Sequence, residues 1–269
     1  MPSRVEVEGV TFVCHERGAG ADAPDPAVVF IHGLGGSSYS WWAQLAACEA
    51  AGYRAIAYDQ RGAGRSAKPP GPYSVELWTE DLEQVLDRLG VEHAILVGHS
   101  VGCMIAQHAA VRLGERVRGL MVVGGALRWR PESAPVFEER VELALAGRMD
   151  EIAATVTQTG LSERCRATDP TLYGLFSQLI ASNEPRPYAD WSAATAKAEM
   201  IELDRVACPA LAVCGELDPV APPAFAEAIA AAMPDARATA IEGAAHWCQL
   251  EAPGAVNDVL LRFLGEIAT

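Results

Sequence analysis

The stretch that most restricts what this chain can fold into is Gly98-His99-Ser100-Val101-Gly102. Residues 93–97 before it read as a buried strand, and residues 101–113 after it as a helix that stops at Gly114. A serine with a glycine two positions away on each side, at a strand-to-helix junction, matches the G-x-S-x-G elbow. The spacing has a steric cause. A turn this tight forces the serine into a strained backbone conformation, and small neighbours let strand and helix pass. The strain lifts the hydroxyl above the sheet edge. There the helix N-terminus offers free N–H groups and the positive end of a dipole.

The segments around the elbow keep the same rhythm. Residues 4–8 and 10–15 alternate apolar and polar around Gly9, which predicts an antiparallel hairpin. Residues 27–31 read as a buried strand that runs into His32-Gly33-Leu34-Gly35-Gly36-Ser37-Ser38. Glycines packed after a central strand serve a phosphate or a close backbone approach. The phosphate pattern needs a lysine that is absent here, and the glycine order fails the dinucleotide fingerprint. A helix over 39–51 ends at Gly52, and a strand over 53–58 leads into the polar loop from Asp59 to Ser66, prolonged by prolines near residue 70. Ser74 reads as the N-cap of a helix with Val75, Trp78, Leu82, Val85, Leu86 and Leu89 on one face. After the elbow, residues 117–123 give another buried strand. Strands alternating with helices predict a parallel sheet covered on both faces.

Past Gly124-Gly125 the rhythm breaks. From about residue 128 to 204 the pattern is helical, interrupted at Glu184-Pro185-Arg186-Pro187, with no buried strand. A strand over 208–214, a helix over 222–233, a strand over 236–241 and a helix over 253–264, stopped at Gly265, complete the chain. Residues 1–126 and 205–269 are therefore expected to form the core domain, and 127–204 a helical cap over the carboxyl edge of the sheet.

Composition narrows the function classes. At 269 residues, half of them hydrophobic, the chain suits one large α/β domain with an insertion. A formal charge of −14 argues against nucleic acid and anionic membrane surfaces as partners. No N-terminal segment joins basic residues to an apolar run, and no apolar stretch reaches the roughly 20 residues of a membrane span, so a cytoplasmic protein is expected. Seven scattered cysteines without a C-x-x-C pair read as reduced, buried thiols and not as a metal site.

A serine hydroxyl is a poor nucleophile until a base takes its proton and an acid orients that base. In an open parallel sheet, such partners belong in loops after later strands. Gly215-Glu216-Leu217-Asp218-Pro219 follows one strand and Gly243-Ala244-Ala245-His246 the next, giving the order Ser100, Asp218, His246. Glu216, in the same loop, is the second candidate acid. Of the other histidines, His15 lies in an edge strand, His93 before a strand at its amino end, and His108 within a helix. His99 sits inside the elbow, better placed to pack, and His32 reads as a brace for the glycine loop. Backbone amides of Leu34 and Val101 are the expected oxyanion donors. Trp129, Phe137, Tyr173, Phe176 and Trp191 in the cap region, with Trp41 and Trp42, are candidate pocket walls, and core packing is the competing role for each. Arg128, Arg130 or Arg148 could meet a substrate carboxylate.

Together His32-Gly33-Leu34-Gly35, Asp59-x-Arg61-Gly62-x-Gly64-x-Ser66, Gly98-x-Ser100-x-Gly102, Gly215-x-x-Asp218 and Gly243-x-x-His246 resemble the α/β-hydrolase superfamily along nearly the whole chain. The resemblance implies an eight-stranded sheet with the second strand antiparallel, a helical cap and a cofactor-free Ser-His-Asp mechanism. Pro69-Pro70-Gly71-Pro72-Tyr73-Ser74, the stretch from Arg140 to Ala153 and Gly243-Ala244-Ala245-His246 are most similar to the 3-oxoadipate enol-lactonases. Two stretches differ. Those enzymes often carry Asn-Ser where His32-Gly33 stands, and commonly Arg-Trp-Phe-Thr near Gln158-Thr159-Gly160-Leu161. The reading that follows is hydrolysis of a small-molecule ester or lactone. The same triad also serves C–C bond cleavage, elimination, peracid formation and slow-turnover small-molecule receptors. Aspartate nucleophiles of the dehalogenase and epoxide hydrolase kind are disfavoured by Ser100. The sequence leaves homodimer formation open.

Overall fold

The computed structural model describes residues 2–18, 25–126, 134–199 and 201–267. The N-terminal hairpin forms as predicted. Strands β1 (Ser3–Val7) and β2 (Val10–Arg17) pair antiparallel from Val7↔Val10 to Ser3↔Cys14. Glu8 and Gly9 between them both take positive φ, 48° and 81°, the two-residue turn that matches strand twist.

Six further strands follow: β3 (Ala27–Ile31), β4 (Ala55–Asp59), β5 (Ala94–His99), β6 (Val117–Val123), β7 (Ala210–Gly215) and β8 (Ala236–Ile241). The eight make one sheet in the order β1-β2-β4-β3-β5-β6-β7-β8. Only β2 runs against its neighbours; from β4 through β8 every pair is parallel. Every residue of β3, β4, β5 and β7 is buried, as strands covered on both faces must be.

Alternation along those strands divides the core in two. Val29 and Ile31 face α2 (Val75–Arg88), α3 (Val101–Leu113) and α9 (Pro223–Ala232), while Val28 and Phe30 face α1 (Trp42–Ala50) and α11 (Pro253–Ile267). Ser74 caps α2, its Oγ accepting from Leu77 N–H at 3.1 Å.

Among the described residues between β6 and β7 are five α-helices: α4 (Ala134–Leu145), α5 (Met149–Gly160), α6 (Glu163–Thr168), α7 (Pro170–Ala181) and α8 (Pro185–Ala196). In this insertion α4 packs on α8 and α5 on α7. The interruption expected at Glu184-Pro185-Arg186-Pro187 falls at its start, where the chain breaks between α7 and α8 with Glu184 as N-cap. Pro185 occupies the first position of α8, where its missing N–H costs nothing and its fixed φ suits the helix.

Two other expectations change. The helix predicted over 39–51 begins as a 3₁₀ turn, Ser38–Trp41, because the Ser37 hydroxyl caps it, and continues as α1. The last helix does not stop at Gly265. It runs to Ile267, whose half-buried side chain packs against Gly119 in β6, a contact that offsets the glycine. A short helix, α10 (Cys248–Glu251), precedes α11. All seven cysteines are buried and unpaired. Among the described residues, no helix is long and apolar enough to cross a membrane.

Candidate active site

Ser100 stands between β5 and α3 with φ 53° and ψ −116°, one of two non-glycine residues with positive φ among the described residues. Holding a serine there costs on the order of 1–3 kcal/mol. The neighbours that hold it are backbone. Ser100 N–H donates to Val123 O at 2.9 Å, and a β-carbon on Gly98 would run into the Gly102 carbonyl, as one on Gly102 would into Ile31. Val101 opens α3, where a helix leaves its N–H without an intrahelical acceptor.

The loops after β7 and β8 meet beside it. A β-carbon on Gly215 would collide with the carbonyls of Ala244 and Ala245, so only glycine lets these loops touch. His246 Nδ1 donates to Asp218 Oδ2 at 2.8 Å, and both side chains are buried. This bond fixes the proton on Nδ1 and leaves Nε2 free to accept. Asp218 Oδ1 receives the N–H groups of Val220 and Ala221, each at 2.8 Å. Burial alone would raise the Asp218 carboxyl. The His246 imidazole and the two amides outweigh it and hold the group below its ordinary range. Glu216 turns elsewhere, accepting from Gly243 N–H at 2.9 Å to brace the loop backbone.

His99 does more than pack. Its Nε2–H donates to the His246 carbonyl at 3.0 Å, a contact with no signal in the sequence. Burial, with His246 alongside, pushes it well below the usual histidine range, so it stays neutral. His32 has both ring nitrogens engaged: Nε2 accepts from Gln60 N–H at 3.1 Å and Nδ1 donates to Gly33 O at 2.9 Å. Asp59 accepts from Ser38 N–H at 2.7 Å and Arg65 N–H at 2.8 Å, tying the glycine-rich loop to the loop after β4.

Leu34, Ser100, Val101 and His246 open onto one cavity of about 390 Å³. Its wall is mostly apolar, with Val136 and Phe137 from α4, Val156 from α5, and Pro219, Val220 and Trp247 from the core. Glu139, Arg140, Thr155 and Thr159 add polar groups. Phe137 thus lies where the sequence placed it. Trp41 does not. It is fully buried against Phe30 (ring centroids 5.1 Å), in the part of the core shared with α1 and α11, because the 3₁₀ turn swings it beneath the sheet edge.

Trp191 is also no pocket wall. It stacks on Trp78 at 4.0 Å and donates Nε1–H to Arg61 O at 2.9 Å, sealing α8 onto the core. Trp42 is 43% exposed, and Phe176 lies behind the cavity against Trp247. Trp129, Arg128 and Arg130 lie outside the described residues. Arg148 is exposed and paired with Glu151. The arginine that does line the cavity, Arg140, shares α4 with Phe137.

A sheet of this order, with its serine turn after β5 and helices inserted after β6, has the architecture of the alpha/beta hydrolase fold. The model of that family matches residues 26–253, and the chain belongs to it. Among its relatives is a protein of Escherichia coli O9:H4 (strain HS) named "Putative carbamate hydrolase RutD", 29% identical over 259 residues, covering 92% of this chain and 93% of the other. The enol-lactonase from Burkholderia xenovorans LB400 superposes with a TM-score of 0.91 at 26% identity, covering 98% of this chain and 100% of that one. A hydrolase from Pseudomonas aeruginosa PA01 gives 0.90 at 27% identity, covering 98% of each chain.

Proposed function

We propose that this chain is a serine hydrolase that cleaves a small-molecule carboxylic ester or lactone through an acyl-enzyme on Ser100. The observation that carries the reading is His246, held 2.8 Å from Asp218 and opening with the strained Ser100 onto a single cavity.

In the forward half, His246 Nε2 takes the Ser100 proton as Oγ attacks the carbonyl carbon. Asp218 holds the imidazole and balances its charge. The amides of Leu34 and Val101 receive the oxyanion, each such donor being worth about 3 kcal/mol. The tetrahedral adduct collapses, the C–O bond breaks, and His246 returns the proton to the leaving alkoxide. Water then attacks the ester on Ser100, gives its proton to Nε2, and the second collapse releases the acid and restores the serine hydroxyl. Every proton passes through His246 Nε2, on its way between Ser100 and the leaving alkoxide or the attacking water.

The helical insertion acts as the cap, residues 127–204, and its α4 and α5 shape the acyl pocket. The apolar wall suits a hydrophobic acyl or ring portion, with the polar end of the substrate toward Glu139, Arg140 and the two threonines. A panel of phenyl esters, γ- and δ-lactones and a phenyl carbamate tests the reading. The purified chain should turn over at least one ester or lactone, and Ser100→Ala should abolish this with the melting temperature kept. Full turnover by a cleanly folded Ser100→Ala would refute it.

A further inference from the structure

We infer that Glu251 is a positioning residue for His246, and that its carboxylate makes docking of the insertion and registration of the histidine a single event. This rests on the serine-hydrolase reading above.

Glu251 is the last residue of α10 and is half-buried. Its Oε2 accepts the Ala245 N–H at 3.1 Å and the Ser162 N–H at 3.0 Å, while Oε1 accepts the Ser162 hydroxyl. Ala245 immediately precedes His246. Ser162 is the N-cap of α6, its Oγ accepting from Cys165 N–H at 3.1 Å, so the corner between α5 and α6 is built on the residue that Glu251 grips. On the other side of the histidine, Trp247 N–H donates to Gly160 O at 2.9 Å, and Gly160 ends α5.

The three residues 245–247 are therefore held from three directions. Two of these holds, through Glu251 and through Gly160, lead to the insertion. The third, His99 to the His246 carbonyl, leads to β5. α5 also supplies Thr155, Val156 and Thr159 to the cavity. A substrate that fills the cavity bears on the same helix end that fixes the histidine loop.

A carboxylate suits this task because it accepts only, offers about four lone-pair sites and forms stronger bonds than a neutral acceptor. Glutamine can keep the geometry. Its amide oxygen would take the two N–H groups, and its NH₂ would donate to Ser162 Oγ, whose proton can turn away. Alanine keeps none of it.

The test uses the full chain, the best ester from the panel and a fluorophosphonate that labels Ser100. Glu251→Ala should lower kcat and the labelling rate by about 10- to 100-fold, the loss that an ångström-scale misplacement produces. KM should move less than threefold. Glu251→Gln should restore most of kcat and Glu251→Met, of like length but without an acceptor oxygen, should not, a split that a purely bulk-packing role would not produce. Ser162→Ala, which removes one of the three bonds, should fall between wild type and Glu251→Ala. Should Glu251→Ala fail to fold, Glu251→Asp, which withdraws the carboxylate by one methylene, carries the same test in the same direction. Labelling and kcat at wild-type level in the folded variant, or a glutamine variant as impaired as alanine, would overturn the inference. Ser100→Ala run alongside separates the two readings. If it still hydrolyses the ester, the serine mechanism fails; if it is dead and Glu251→Ala is as fast as wild type, only the role of Glu251 fails.

Discussion

The Asp218 and His246 loops touch backbone to backbone, and the turn at Ser100 packs on the backbones of Ile31 and Val123, whereas the cavity above them is walled by helices docked largely through side chains. At the sheet edge, Gly98, Gly102 and Gly215 leave no room for a β-carbon, and the strands beneath are buried on both faces. In the insertion, Leu145 is 57% and Leu175 67% exposed, and α8 is fastened to the core by Trp191 on Trp78 and Gly71 N–H on Asp190. The contrast separates two tasks. In the proposed mechanism, proton handling is built where close backbone approaches fix the geometry, and pocket shape where side chains set it.

The sharpest way to break that division is Asp218→Asn. The amide would favour the wrong imidazole tautomer at unchanged geometry, so kcat/KM should drop by about 10⁴ while the circular dichroism spectrum is kept. A loss below tenfold would show that the edge does not carry the chemistry. Next in size is Trp191→Ala, which empties the seam between α8 and α2. Stability should fall by about 3–5 kcal/mol in a urea titration, with KM rising more than kcat falls. An unchanged melting curve would mean that the insertion docks by other contacts.

A smaller effect concerns acid. Asp218 is held below its ordinary range in the folded chain, so its ionised form stabilises the fold above the unfolded carboxyl value of about 3.9. That contribution is lost as pH falls through the lower folded value. Melting temperature measured downward from pH 6 should therefore decline less steeply in Asp218→Asn than in wild type. Parallel slopes would contradict the assignment. Smallest of all is Val136→Ala at the cavity wall, where the side chain is 45% exposed. Stability should stay within about 0.5 kcal/mol, while KM for the best ester shifts a few-fold. A shift in kcat alone would place Val136 in the wrong task.

How far the sequence could be read follows the same line. The bounds of α3, β6 and β8 match the expected ones because hydrophobic period and glycine stops are local signals. The antiparallel β1–β2 hairpin is read from local alternation, but the eight-stranded sheet around it rests on family resemblance, since strand order depends on pairings between distant segments. Trp41 and Trp191 were misplaced for a related reason. A tryptophan beside a glycine loop or in a helical insertion looks the same whether it faces a cavity or a neighbour, and the partners Phe30 and Trp78 lie on other elements. Nothing local in the sequence singles out Glu251. Its role emerges only when Ser162 and Ala245 are brought to it. The break at Glu184 is legible, but not that Pro185 starts the next helix, since proline opens a helix as readily as it ends one.

The account depends most on a covalent bond between Ser100 and the acyl group. Acid-quenching the chain during turnover of its best ester, then mapping the digest by mass spectrometry, tests it directly. The peptide containing Ser100 should carry the acyl mass, and Ser100→Ala should yield no such adduct. Steady hydrolysis with the acyl mass on another residue, or in Ser100→Ala at the wild-type rate, would contradict it.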